Sequence, residues 1–228
     1  MEEYIKLRKM LIIGIIASFI TTIFGDMPIG WIVYPETGNK YMDIIIGSKD
    51  VSILQMAFSL FFGAIFIPLQ YYGVKAVSEI IDKNKCKYCS KIIDIGAKAF
   101  AFIGGTVHVL CVVAMYIYKM EATSNLLQIP KTAIVFLIWL LLPISILFMS
   151  IYVLMCFAIA IPILKGKTVF PKWMAIFNPL LGKIVLNLLA LVIPNTKIFN
   201  AIRMGNMGIG SMITFVAFYV LLPKELFN

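Results

Sequence analysis

Three ionisable side chains stand inside long apolar stretches of this 228-residue sequence: Asp26, His108 and Lys183. An ionisable group within a bilayer is costly to keep, so each is a candidate functional residue. Asp26 and His108 suggest the sharpest chemistry. An imidazole paired with a carboxylate can accept and return protons near neutral pH. Such a pair could serve a hydrolase, an isomerase or a proton-coupled carrier. Gly25-Asp26-Met27-Pro28 is an odd way to end an apolar helix, which singles out Asp26. The competing reading of His108 is a buried ring that only hydrogen-bonds across helices.

Other polar residues belong to the same picture. Asn206 opens the last apolar stretch, and Tyr34, Glu36 and Arg203 lie in connections on the side where Asp26 ends its helix. Together with His108 they could converge on a pocket open to the exterior or to the outer leaflet. Asn178 precedes Pro179 at the start of the fifth stretch. Lys183 has two open readings. A span starting near Met174 puts it near mid-membrane, whereas a flat Phe170–Gly182 segment makes it an interfacial anchor.

The elements that must position these groups are helices. The chain is 61% hydrophobic, with a mean hydropathy of +0.97. That is too much apolar surface for a water-soluble fold of this size. A transmembrane helix needs roughly 20 mostly apolar residues. Six stretches meet or approach that length, at about 10–26, 52–77, 92–118, 133–164, 174–194 and 207–222. The expected architecture is all-α: one domain over 1–228, a bundle of six transmembrane helices. The first stretch follows Lys6, Arg8 and Lys9 but has no small-x-small cleavage site, so it reads as a retained helix.

Details within the spans refine this. Gly14, Ser18, Thr21 and Gly25 form a small-residue stripe that lets another helix approach. Asp94, Ala97, Ala101, Gly105 and His108 share one small or polar face of the third span, with Phe102 opposite. Asp94 and Lys98 are spaced for an ion pair near the membrane boundary. Pro68 and Pro143 predict kinks.

The net charge of +9 does not point to nucleic acid. Lys6, Arg8, Lys9, Lys83, Lys85, Lys87, Lys91, Lys165, Lys167 and Lys172 fall on one side if there are six spans. By the positive-inside rule both termini are then cytoplasmic, in a multi-pass protein of the cell membrane. Cys86 and Cys89 form a single CxxC, half of a zinc site, and no second CxxC or histidine completes it, so no metal or other cofactor is expected. Serine-hydrolase, His-Glu-x-x-His, Walker and potassium-filter sequences are all missing.

Gly25-Asp26, Pro35, His108, Asn178-Pro179 and Gly205-Asn206, taken in order, resemble an uncharacterised bacterial family of small six-span integral membrane proteins. The resemblance covers most of the chain and implies no activity. Gly-Asp followed by an intramembrane histidine is also similar to the lysoplasmalogenases, multi-span ether-lipid hydrolases, although flanking residues and helix count differ. The functional expectation is an outward-facing polar pocket that binds or transports a small amphiphilic or polar ligand. The rivals are an intramembrane hydrolase or isomerase acting on a lipid or isoprenoid-like substrate, and a structural subunit of a membrane complex. The expected partners are the bilayer, a small-molecule or lipid ligand, and a second copy of the chain.

Overall fold

The computed structural model describes residues 1–35, 37–38, 40–123 and 131–227. Glu36 lies outside the described residues. No strand occurs among those described. Four helices are long and apolar enough to cross a membrane: α1 (Glu2–Ile29), α3 (Ile53–Lys83), α4 (Lys87–Thr123) and α5 (Thr132–Leu164). A short α2 (Lys40–Gly47) lies between α1 and α3. The remainder holds α6 (Leu180–Leu189), α7 (Lys197–Met204) and α8 (Asn206–Leu221). Helices α7 and α8 meet at a bend of 56° and together make a fifth candidate crossing. Large apolar side chains such as Phe102, Trp139, Leu154 and Phe157 face outward. Exposed apolar surface on this scale requires lipid around it. The chain is an integral membrane protein.

Helices α1, α3, α4 and α5 form an antiparallel series. Glu3 pairs with Lys83 at 2.6 Å and Lys6 with Glu79 at 3.3 Å at one end. Further along, Gly14 meets Gly73 and Gly25 meets Gly63, backbone to backbone. The small-residue stripe of α1 is therefore spent inside the chain, against α3 and α8, and is not a free face for a second copy. The small face of α4 packs on α3. Ser78 donates to the Ser90 carbonyl at 2.9 Å, and Asp94 bonds both Lys75 (2.6 Å) and Lys98 (2.7 Å). Helix α5 returns along α4, where Phe100 meets Phe148 edge-on with centroids 5.4 Å apart. The Glu121 carboxylate accepts from the N–H groups of Thr132 and Ala133, both at 3.1 Å. A negative charge there suits the helix start.

The segment after α5 does not form one long helix. It contains a short 3-10 turn (Lys172–Ile176) and then α6, ten residues long. Asn178 holds the break together. Its Nδ2 donates to the Cys156 carbonyl at 2.7 Å, and its Oδ1 accepts from the Leu180 N–H at 3.0 Å. Tyr152 adds a bond to the Pro179 carbonyl at 2.8 Å. Helix α6 then lies so close to α8 that a Cβ on Gly210 would overlap the Pro179 carbonyl. Helix α8 runs antiparallel to α1, ending with Arg8 stacked 3.9 Å over the Tyr219 ring. Tyr4 touches Phe227 at 5.6 Å, which brings the two ends of the chain together. The connection after α1 folds back as a second apolar core, in which Ile32, Ile45 and Val51 pack with Val112 and Met115.

The helices respond differently at different prolines. Helix α3 continues unbroken through Pro68. By contrast, a widened π-helical turn (Thr21–Asp26) precedes Pro28, and another (Leu137–Leu141) precedes Pro143. A proline has no N–H and its ring clashes with the carbonyl four residues back. Those carbonyls belong to Phe24 and Trp139, inside the two widened turns. A third π turn, Phe100–Gly104, sits in α4 before Gly105.

Candidate functional site

Each π turn delivers two residues to one place. Thr21 and Asp26, Phe100 and Gly104, and Leu137 and Leu141 all line a single cavity of about 400 Å³. That volume is within the range of small-molecule sites. A π turn adds a residue and rotates the helix beyond it, and such turns recur at functional sites. Here three of them converge.

The cavity has two unlike walls. One is polar, with Asp26, Lys183, Arg203 and Asn206 contributed by α1, α6, α7 and α8. The other is apolar, built by Leu137, Leu141, Phe148 and Met149 of α5. Along α4 the lining runs Phe100, Gly104, His108, Cys111, Met115. That stripe climbs about 22 Å at 1.5 Å per residue.

His108 sits at the middle of this stripe, 7% exposed. The ring rests on Gly63 of α3, where a Cβ would overlap it. Its Nε2 lies 3.0 Å from the Ser59 carbonyl oxygen and 3.1 Å from Ser59 Oγ. Nε2 either donates to that carbonyl or accepts from the Ser59 hydroxyl, according to the tautomer. Its Nδ1 lies 3.4 Å from Asp26 Oδ1. Two bare lone pairs would repel at that distance, so a proton belongs between them.

Ser59, His108 and Asp26 stand in the order of a hydrolase triad. The chemistry does not follow. Ser59 is fully buried and does not line the cavity. Both imidazole nitrogens are engaged, which leaves none to take a proton from water.

The cations are held differently. Arg203 donates through Nε and Nη2 to Asn187 Oδ1, at 3.2 and 3.1 Å. Its guanidinium also lies 5.9 Å from the Tyr34 ring centre. Asn187 in turn donates to the Lys183 carbonyl at 2.7 Å. The Lys183 ammonium makes no hydrogen bond or ion pair among the described residues. Asn206 uses its amide on the Arg203 carbonyl at 2.6 Å.

Six of the sequence candidates thus line one cavity: Asp26, Tyr34, His108, Lys183, Arg203 and Asn206. Asn178 does not, because its side chain is spent bridging α5 and α6. Lys183 lies one turn into α6. Tyr34 and Arg203 also line a neighbouring cavity of about 450 Å³ with Asp43 and Asn195, and so form the partition between the two. Burial pushes the Tyr34 phenol above its usual range, with Arg203 opposing. Thr22 bonds the Ser18 carbonyl at 2.8 Å rather than Asp26. The cysteines are free, and no cluster of metal-ligating side chains occurs among the described residues.

Three participants were not singled out by sequence: Ser59, Gly63 and Gln70. Gln70 is 2% exposed and lines the cavity. Its Nε2 reaches Thr21 Oγ1 at 3.4 Å, and its Oε1 is buried without a partner among the described residues. No pattern in the sequence marks these residues, because their roles depend on which face α3 turns towards α4.

Neither a curated protein nor a solved structure matches the chain. A family described as "Family of unknown function (DUF6796)" matches residues 1–225. The chain belongs to that family.

Proposed function

We propose that this chain is a membrane-embedded binding or transport protein that takes a small amphiphilic ligand into the cavity between α5 and the α6–α8 unit. One observation carries the reading: a wall of ionisable groups, Asp26, His108, Lys183 and Arg203, faces an apolar wall across about 400 Å³ inside the bundle. Ionisable groups held at such a place are costly unless used. Six crossings fit this reading, with the broken segment ending in α6 as the fifth and α8 as the sixth. Discontinuous helices of this kind build the substrate sites of many transporters. The lysine-rich loops beside the termini then face the cytoplasm of a cell-membrane protein, and the cavity opens towards the opposite leaflet. Engagement of both imidazole nitrogens favours binding over hydrolysis.

The test fills the cavity. In the full chain held in nanodiscs, dodecanol and dodecanoate should each raise the melting temperature. Met149→Trp, which puts an indole into the apolar wall, should abolish both shifts while the protein stays folded. Equal shifts in the wild type and in Met149→Trp would show that the amphiphiles bind elsewhere and would end the proposal.

A further inference from the structure

We infer that Lys183 and Arg203 hold an anionic head group, a carboxylate or phosphate carried on a single hydrocarbon chain. The inference rests on the cavity reading above and names its ligand.

The charge balance of the cavity comes first. Among the described residues Asp26 is the only acid in the lining, and it faces His108. Two cations, Lys183 and Arg203, stand on the same wall against that one carboxylate, and neither makes an ion pair with it. Removing a charge from water without a partner is expensive, and a bound anion relieves the cost.

The two cations are also arranged to receive something. Asn187 takes Nε and Nη2 of Arg203 and leaves Nη1 uncommitted. The planar fork of arginine suits the oxygens of a carboxylate or phosphate. The same Asn187 bonds the Lys183 backbone, so one amide fixes α6 and α7 relative to each other. Asn206, Met207 and Gly208 open α8 on the cavity wall. First-turn N–H groups lack acceptors within their helix and favour negative charge.

Shape supplies the hydrocarbon. A volume of about 400 Å³ spread along the roughly 22 Å stripe of α4 is about one alkyl chain wide. Phe100, Phe148 and Met149 line its apolar part.

The experiment is calorimetric titration of the full chain in nanodiscs with dodecyl phosphate, dodecanoate and uncharged dodecanol. The anions should bind about tenfold or more tighter than dodecanol, because hydrogen bonds to charged groups carry that much. Lys183→Met and Arg203→Gln should each remove most of this preference, the anions losing far more affinity than dodecanol. Lys183→Arg should keep it. Added KCl should weaken the anions alone, a readout that needs no variant. Dodecyl phosphate ahead of dodecanoate assigns a phosphate head, and the reverse order assigns a carboxylate. Equal affinity for dodecanol and both anions overturns the inference but leaves the cavity reading intact. No binding by any of the three to folded protein overturns both.

Discussion

The Cβ that Gly63 lacks would overlap the imidazole of His108. A single hydrogen on α3 therefore decides whether the ring can sit with Nε2 on Ser59 and Nδ1 towards Asp26. Gly63→Ala should displace the ring and cost about 1–3 kcal/mol, as overpacking typically does. Thermal unfolding in micelles checks this. The double variant Gly63→Ala with His108→Ala should recover part of the loss, because the new methyl then has room.

The break before α6 depends on Asn178. Asn178→Leu removes a donor from the Cys156 carbonyl and an acceptor from the Leu180 N–H in a buried place. A loss of about 1–3 kcal/mol per unsatisfied group is expected. Denaturation monitored by Trp173 fluorescence measures it. Stability equal to wild type would mean that Asn178 does not hold the break.

Gly210 is constrained by backbone rather than by side chains. Its missing Cβ would overlap the Pro179 carbonyl, and neither strand of the contact can rotate away. Gly210→Ala should separate α6 from α8 and cost about 1–3 kcal/mol or more. It should also weaken dodecanoate binding, since Lys183 moves with α6. Unchanged stability and affinity would argue against this close packing.

Asn187→Leu should leave the fold standing but free the Arg203 fork. The anion preference over dodecanol should drop several-fold, with dodecanol itself unaffected. Titration of the variant with dodecyl phosphate and dodecanol separates this positioning role from a general loss of structure, which would weaken both.

Tyr34 gives a dependence on alkaline pH. Its buried phenol is pushed up, so the fold favours the neutral form. That stabilisation is complete below the ordinary tyrosine value of about 10 and fades as pH rises through the folded-state value. Stability between about pH 9 and 11 should therefore fall less steeply in Tyr34→Phe than in wild type. Identical slopes would show that the phenol is solvated.

Much of the architecture was legible from apolar length, because the bilayer imposes a minimum on each crossing. Helices α1, α3, α4 and α5 follow directly, and each extends beyond its apolar stretch into a polar turn. The Asp94–Lys98 spacing and the small face of α4 were also readable. The broken segment before α6 was half legible: Pro171, Asn178-Pro179 and Gly182 left open a separate Phe170–Gly182 segment, but the side-chain bridge from Asn178 to another helix was not readable. Asp26, His108, Asn206 and Lys183 could be named because charge and polarity are conspicuous in an apolar chain. Ser59 and Gln70 could not, since a hydroxyl or amide on a helix is ordinary until its neighbours are known. The π turns escaped for a related reason. Periodicity reading assumes 3.6 residues per turn, and Pro143 suggested a kink without marking the widened turn that precedes it.

Those widened turns divide each of three helices into two registers. Beyond a π turn, every side chain is offset by about 100° from where an uninterrupted α-helix would put it. Deleting one residue from Thr21–Asp26 would restore ordinary winding and swing Asp26 towards a neighbour or lipid, while Leu7 and Leu11 stayed locked in the core. The half of the bundle near the termini and the half around the cavity can thus be retuned separately. Single-residue insertions and deletions, normally ruinous in a helix, become at these three turns a means of changing what the cavity presents.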